Sequence, residues 1–187
     1  MKNTILTIPS TARPLALGTL ALVALASVPF ARAQDDTRIP SLPSPMCDKL
    51  QVPAGNEVAF VAFATGVQIY SWNGTTWVFI APAATLFADA GYNGQVGTHY
   101  AGPTWQSNSG SKVVGMRLAA CSPDPNSIPW LKLLAISTQG PGIFDGVTFV
   151  QRVNTVGGKA PTVPGTTVGQ LANVPYTAEY VFYRATD

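Results

Sequence analysis

The sequence predicts an all-β fold: a single-domain antiparallel β-sandwich or closed β-barrel with long Gly/Pro-rich loops and at most one short helix. Three observations lead there. Short runs of β-branched and aromatic residues recur along the chain. Turn-forming residues interrupt them roughly every 8–12 residues, and no window beyond the N-terminus carries a convincing amphipathic helix. Strand count and turn spacing are common to sandwiches and barrels, so both remain open.

Residues 1–33 read as a secretory signal peptide. Lys2 and Arg13 supply a positive start, residues 14–28 (PLALGTLALVALASV) an apolar stretch, and Ala31-Arg32-Ala33 a small-residue cleavage site before Gln34. Pro14, Gly18 and Pro29 argue against a membrane anchor, as does a span short of the roughly 20 apolar residues that crossing needs. Cleavage would remove three of the eleven basic residues and leave eight against nine acidic ones. The chain is then near neutral, with no electrostatic footprint for nucleic acid.

Residues 34–53 (QDDTRIPSLPSPMCDKLQVP) form an extended Pro-rich arm, because Pro40, Pro43 and Pro45 oppose both helix interiors and central strands. The all-β domain follows at 54–187. Its runs fall at 57–63, 67–72, 75–80, 96–100, 111–118, 130–138, 147–156 and 176–184. Gly66 separates the first two. Asn73-Gly74 is a hairpin turn that makes Trp72 and Trp77 cross-strand partners. The single helix candidate is 81–90 (APAATLFADA), with Pro82 at its first turn and Gly91 past its end.

Composition narrows the function. Hydrophobic residues are 47% and charged residues 11% of 187, which excludes a disordered chain. One His and two Cys exclude the usual His- and Cys-rich zinc sites. Export would place Cys47 and Cys121 where disulfides persist, and their pairing is expected.

Four strings carry a family resemblance: QVPAGNEVAFVAFATGVQIYSWNGTTWVFIAPAATLF, VGTHYAGPTWQSNSGSKVVGMRLA, IPWLKLLAISTQGPGIFDGVTFVQRVNTVGGKAP and VPYTAEYVFYRA. They resemble the secreted domain-of-unknown-function family 3455 of bacteria and fungi, over about residues 50–185. The resemblance implies an exported, mainly-β single domain and no particular activity. The chain departs from the family at Ala83 or Ala84 and at Gln106, where members often carry acidic residues. A malate-dehydrogenase reading attached to some fungal members finds no G-x-G-x-x-G here.

Three features carry candidate chemistry. His99, beside Tyr100 and Trp105 in GTHYAGPTW, is the one imidazole available for hydrogen bonding, metal ligation or a triad with Ser107, Ser109 or Ser111 and an acid such as Asp89 or Glu179. No G-x-S-x-G elbow accompanies it. Strand alternation puts Arg152 and Asn154 on one face, ahead of Gly157-Gly158-Lys159, where an anionic or sugar ligand could be cradled. The structural alternative pairs Arg152 with a carboxylate such as Glu179. Aromatics on sheets make flat-ligand or glycan platforms, and they also fill cores.

These readings converge on a secreted or periplasmic binding or surface-interaction module without catalysis, taking a small molecule or a glycan. Its expected site joins His99, Tyr100, Trp105, Arg152 and Asn154, with no catalytic or metal-ligating residue and no cofactor assigned. The alternatives are a hydrolase or metal-assisted enzyme using His99, and a structural envelope or spore-surface protein.

Overall fold

The computed structural model describes residues 38–187, so the leader and residues 34–37 lie outside the described residues. Eight antiparallel strands follow one another around a closed barrel: β1 Asn56–Trp72, β2 Trp77–Phe87, β3 Gln95–Tyr100, β4 Thr104–Ser107, β5 Lys112–Cys121, β6 Trp130–Gln139, β7 Val147–Gly157 and β8 Leu171–Ala185. The barrel is therefore the one of the two expected architectures that forms. Closure comes from β1 and β8, which pair from Asn56↔Ala185 to Ser71↔Leu171. That pairing joins the first and last strands, so neither remains as a sheet edge.

Two expected boundaries are corrected. The runs at 57–63 and 67–72 form one 17-residue strand, and Gly66 lies inside it. A Cβ at Gly66 would stand 2.2 Å from the Ala83 carbonyl oxygen and 2.5 Å from Ala84 Cα. Glycine is there for close approach of β2, not for a break. The helix candidate 81–90 is instead the second half of β2, with Ala84 and Leu86 turned into the core. Pro82 is tolerated because it pairs with Gln68 on one side, while β3 pairing begins only at Ala84 on the other. Its missing N–H thus costs no ladder bond.

The wall has two hydrophobic faces. Inside lie Ala62, Ala64, Ala84, Leu86, Trp105, Leu133, Val150, Tyr180 and Phe182. Outside, Val61, Phe63, Trp130, Val153, Val181 and Tyr183 cluster with Cys47, Leu50 and Cys121. The arm covers that outer face. Cys47 and Cys121 are joined by a disulfide, with a Cα–Cα distance of 5.4 Å, and a one-turn 3-10 helix, Asp48–Leu50, seats Leu50 fully buried. The Gln151 amide donates to the Leu50 carbonyl and accepts from the Tyr183 hydroxyl, each at 2.6 Å. Alternation in β8 explains its sequence, YVFY. Tyr180 and Phe182 fill the barrel, while Val181 and Tyr183 meet the arm.

The two ends of the barrel differ. At the end where β1 begins and β8 finishes, Phe144 from the β6–β7 loop packs against Phe60 and Phe182, with centroids 5.5 and 5.0 Å away, while Phe60 and Phe182 stack at 4.5 Å. Those three rings plug it. At the opposite end the interior is partly empty.

Candidate functional site

Side chains from β1 and β2 form one side of the open end. From those strands Gln68, Tyr70 and Pro82 reach the wall, across from Trp105 of β4 and Tyr180 of β8. The resulting cavity, about 410 Å³, is walled by side chains including Gln68, Tyr70, His99, Trp105, Arg152 and Tyr180, with apolar Ile128, Leu131 and Leu133 between them. Ala101-Gly102-Pro103 and exposed Arg117 stand at its mouth. That size falls within the range, about 300–1,000 Å³, typical of small-molecule sites.

His99 is placed by pairing with Ala84 on one side and Trp105 on the other. Its ring is 3% exposed and stacks on the Trp105 indole at 4.5 Å and 13°. Tyr180 meets both rings, at 4.9 Å from His99 and 5.3 Å from Trp105. His99 Nδ1 lies 2.9 Å from the Thr104 carbonyl, which can only accept, so Nδ1 carries the proton and Nε2 the lone pair. Burial holds the imidazole pKa down at about 3; the Thr104 bond opposes this and the Arg152 charge reinforces it. The ring is neutral at any ordinary pH.

Arg152 enters from β7, paired with Leu131 and Tyr180. Its Nε and Nη2 donate to the Pro129 carbonyl at 3.2 and 2.8 Å. The β5–β6 loop is held in reach by Thr155, which donates to the Ile128 carbonyl at 2.6 Å, and by Gly157 N–H to Ser127 Oγ at 3.0 Å. Arg152 does not pair with Glu179, which neighbours Tyr180 on β8 and so lies on the opposite face. The cavity wall contains two guanidinium groups and no carboxylate. The field of Arg152 reaches the phenols of Tyr70, Tyr176 and Tyr180. Burial pushes all three pKa values up, and Arg152 pulls them partly back.

Two donors on this wall are unsatisfied. Trp105 Nε1, in a side chain 1% exposed, and Gln68 Nε2, in one 2% exposed, make no hydrogen bond. The Gln68 amide is still near enough to Tyr176 to favour its phenolate slightly, but not in bonding geometry. Leaving such groups buried and unpaired costs about 1–3 kcal/mol each. Native interiors rarely retain that cost without reason.

Of the five expected site residues, His99, Trp105 and Arg152 meet on this cavity; Tyr100 and Asn154 do not. Tyr100 follows His99 on β3 and therefore faces outward, where its hydroxyl donates to Gln106 Oε1 at 2.8 Å. Asn154 is exposed at a bulge, with φ +49° and a β7–β8 register slip between Val153 and Val156. The slip cancels the alternation that would have put it beside Arg152. Gly157 and Gly158 pack against Pro175 and Tyr176 rather than cradling a ligand, and Lys159 donates to the Pro125 carbonyl. Gln68, Tyr70 and Tyr180 were missed. The signal for Gln68 and Tyr180 was their place on the inward-facing register of β1 and β8.

No serine triad forms. Ser107 Oγ bonds to Ser109 and Ser111 at 2.9 and 2.8 Å, and Asp89 accepts from its own turn at Gly91 and Asn93. Trp72 and Trp77 pair across the β1–β2 hairpin at 5.5 Å, and Trp130 joins the outer core, so the tryptophans form no continuous platform. Among the described residues no group of three or more His, Cys, Asp or Glu gathers, and no helix is long and apolar enough to cross a membrane.

No curated protein and no solved structure matches the chain. The family described as "Protein of unknown function (DUF3455)" matches residues 53–184, the whole barrel wall but for its last residue, and the chain belongs to that family.

Proposed function

We propose that this protein is an exported binding module that holds a small, mostly apolar molecule inside the open end of its barrel, without transforming it. The observation that carries the reading is an apolar cavity of about 410 Å³ whose lining includes Gln68 and Trp105, each of which holds a buried donor without a hydrogen bond. A bound acceptor would recover the hydrogen bonds the fold leaves unmade, as orientation-setting polar groups do in ligand pockets. A non-catalytic role is supported by the imidazole. A base with a pKa near 3 is too weak to abstract protons at neutral pH, and no carboxylate orients it. Export is supported by the leader-like residues 1–33 and by the disulfide, which persists in oxidising compartments.

The test uses N-phenyl-1-naphthylamine, a neutral probe that fluoresces in apolar surroundings. The mature protein should bind it saturably at one site. Leu131→Trp, which fills the cavity from a partly exposed wall position, should abolish binding while far-UV circular dichroism stays unchanged. Equal binding by a folded Leu131→Trp variant would overturn the reading.

A further inference from the structure

We infer that the ligand is a monoanion, a small organic carboxylate on an apolar and largely aromatic body, with its head at Arg152 and its body against Trp105, Tyr180 and Leu133. This rests on the binding reading above and specifies the chemistry of the same cavity. The argument begins with charge. Arg152 lies on the inner wall, and no carboxylate shares the cavity with it. Its two hydrogen bonds to Pro129 go to a neutral carbonyl, and its other near partner, the Tyr180 hydroxyl, is neutral as well. Arg152 is part-buried, and none of its neighbours on the wall carries a charge that would neutralise it. His99 is held neutral, and the phenols remain protonated.

Geometry then selects the anion. The free edge of a guanidinium matches a planar carboxylate, and each such bond is charge-assisted. Trp105 Nε1 and Gln68 Nε2 are donors without a partner, which carboxylate oxygens could satisfy. One inner cation suits one negative charge. Arg117, exposed at the mouth, would draw an anion inward without being needed once it is seated. The rest of the wall is hydrocarbon and ring: Tyr70, Phe79, Leu131, Leu133 and Tyr180.

The experiment displaces N-phenyl-1-naphthylamine with three ligands sharing one body: 4-phenylbutyrate, 4-phenylbutanol and 4-phenylbutylamine. The carboxylate should compete roughly tenfold or more better than the alcohol, the worth of one charge-assisted hydrogen bond, and the amine worst of all. Arg152→Gln should erase that preference, bringing carboxylate and alcohol to equal competition. The ratio in the unaltered protein stands even if that variant folds poorly. Equal competition by carboxylate and alcohol, or stronger competition by the amine, would overturn the anion inference while binding inside the barrel survives. Failure of the fluorescent probe itself to bind would overturn both.

Discussion

Acidification from pH 7 to 4.5 should remove about 2.5 kcal/mol of stability through His99 alone. The folded-state pKa lies near 3 because burial disfavours the imidazolium and Arg152 repels it, against the opposing pull of the Thr104 carbonyl. The unfolded chain restores a value of about 6.5. Between those two values the unfolded state holds one proton more than the native state, so stability rises with pH at up to about 1.36 kcal/mol per unit. The loss therefore begins as pH falls below about 6.5 and is complete near 3. Urea unfolding at pH 7.0, 6.0, 5.0 and 4.5 measures it, in the unaltered protein and in His99→Asn. Asparagine keeps a donor for the Thr104 carbonyl but has nothing to titrate. Asp124, held low by Ser127 and the Asn126 N–H, loses its contribution in the same acid direction in both proteins and cancels in the comparison. A difference between the two proteins that stays constant from pH 7.0 to 4.5 would refute the buried, neutral imidazole.

Three further outcomes are expected. Replacing both Cys47 and Cys121 by Ala removes a crosslink over 74 residues and should cost about 4.5 kcal/mol by loop-closure entropy, read as a lower urea midpoint; an unchanged midpoint would contradict the tethered arm. Gly66→Ala should cost about 1–3 kcal/mol, since its Cβ would strike the β2 backbone, and a neutral result would mean β1 and β2 stand farther apart. In alkali, burial holds the Tyr176 and Tyr180 phenols well above the usual range and Tyr183 at about 12, so stability is complete below pH 10 and falls as pH rises beyond it. Phenolate absorbance should then appear together with unfolding. Complete ionisation near pH 10 with unchanged circular dichroism would contradict the burial.

The strands were legible because alternation and turn chemistry are local, and closure was not. Nothing near residue 56 or residue 185 announces that they will pair. The Ala-rich segment after Pro82 imitates a helix start, and only the late onset of β3 makes proline acceptable in that strand. The four-residue β4 was too short to show periodicity after Gly102-Pro103. Within the site, the segment containing His99 and Trp105 stood out by its residue types. Tyr100 could have been set aside from the sequence, because neighbours on a strand face opposite ways. Asn154 could not, since the bulge that exposes it depends on the pairing of β7 with β8. Gln68 and Tyr180 carry no motif, and they become site residues only when the barrel brings β1 and β8 round to face β4.

The most direct measurement is a 1H–15N spectrum of residues 34–187 labelled at the four indole nitrogens, titrated with 4-phenylbutyrate. Trp105 Nε1–H, now without an acceptor, should shift downfield saturably, while Trp77, already bonded to the Val163 carbonyl at 2.9 Å, stays in place. A second hollow between Trp72, Trp77 and Pro161 supplies the alternative. Movement of the Trp72 and Trp77 signals with Trp105 fixed at saturation would place the ligand outside the barrel and contradict the account.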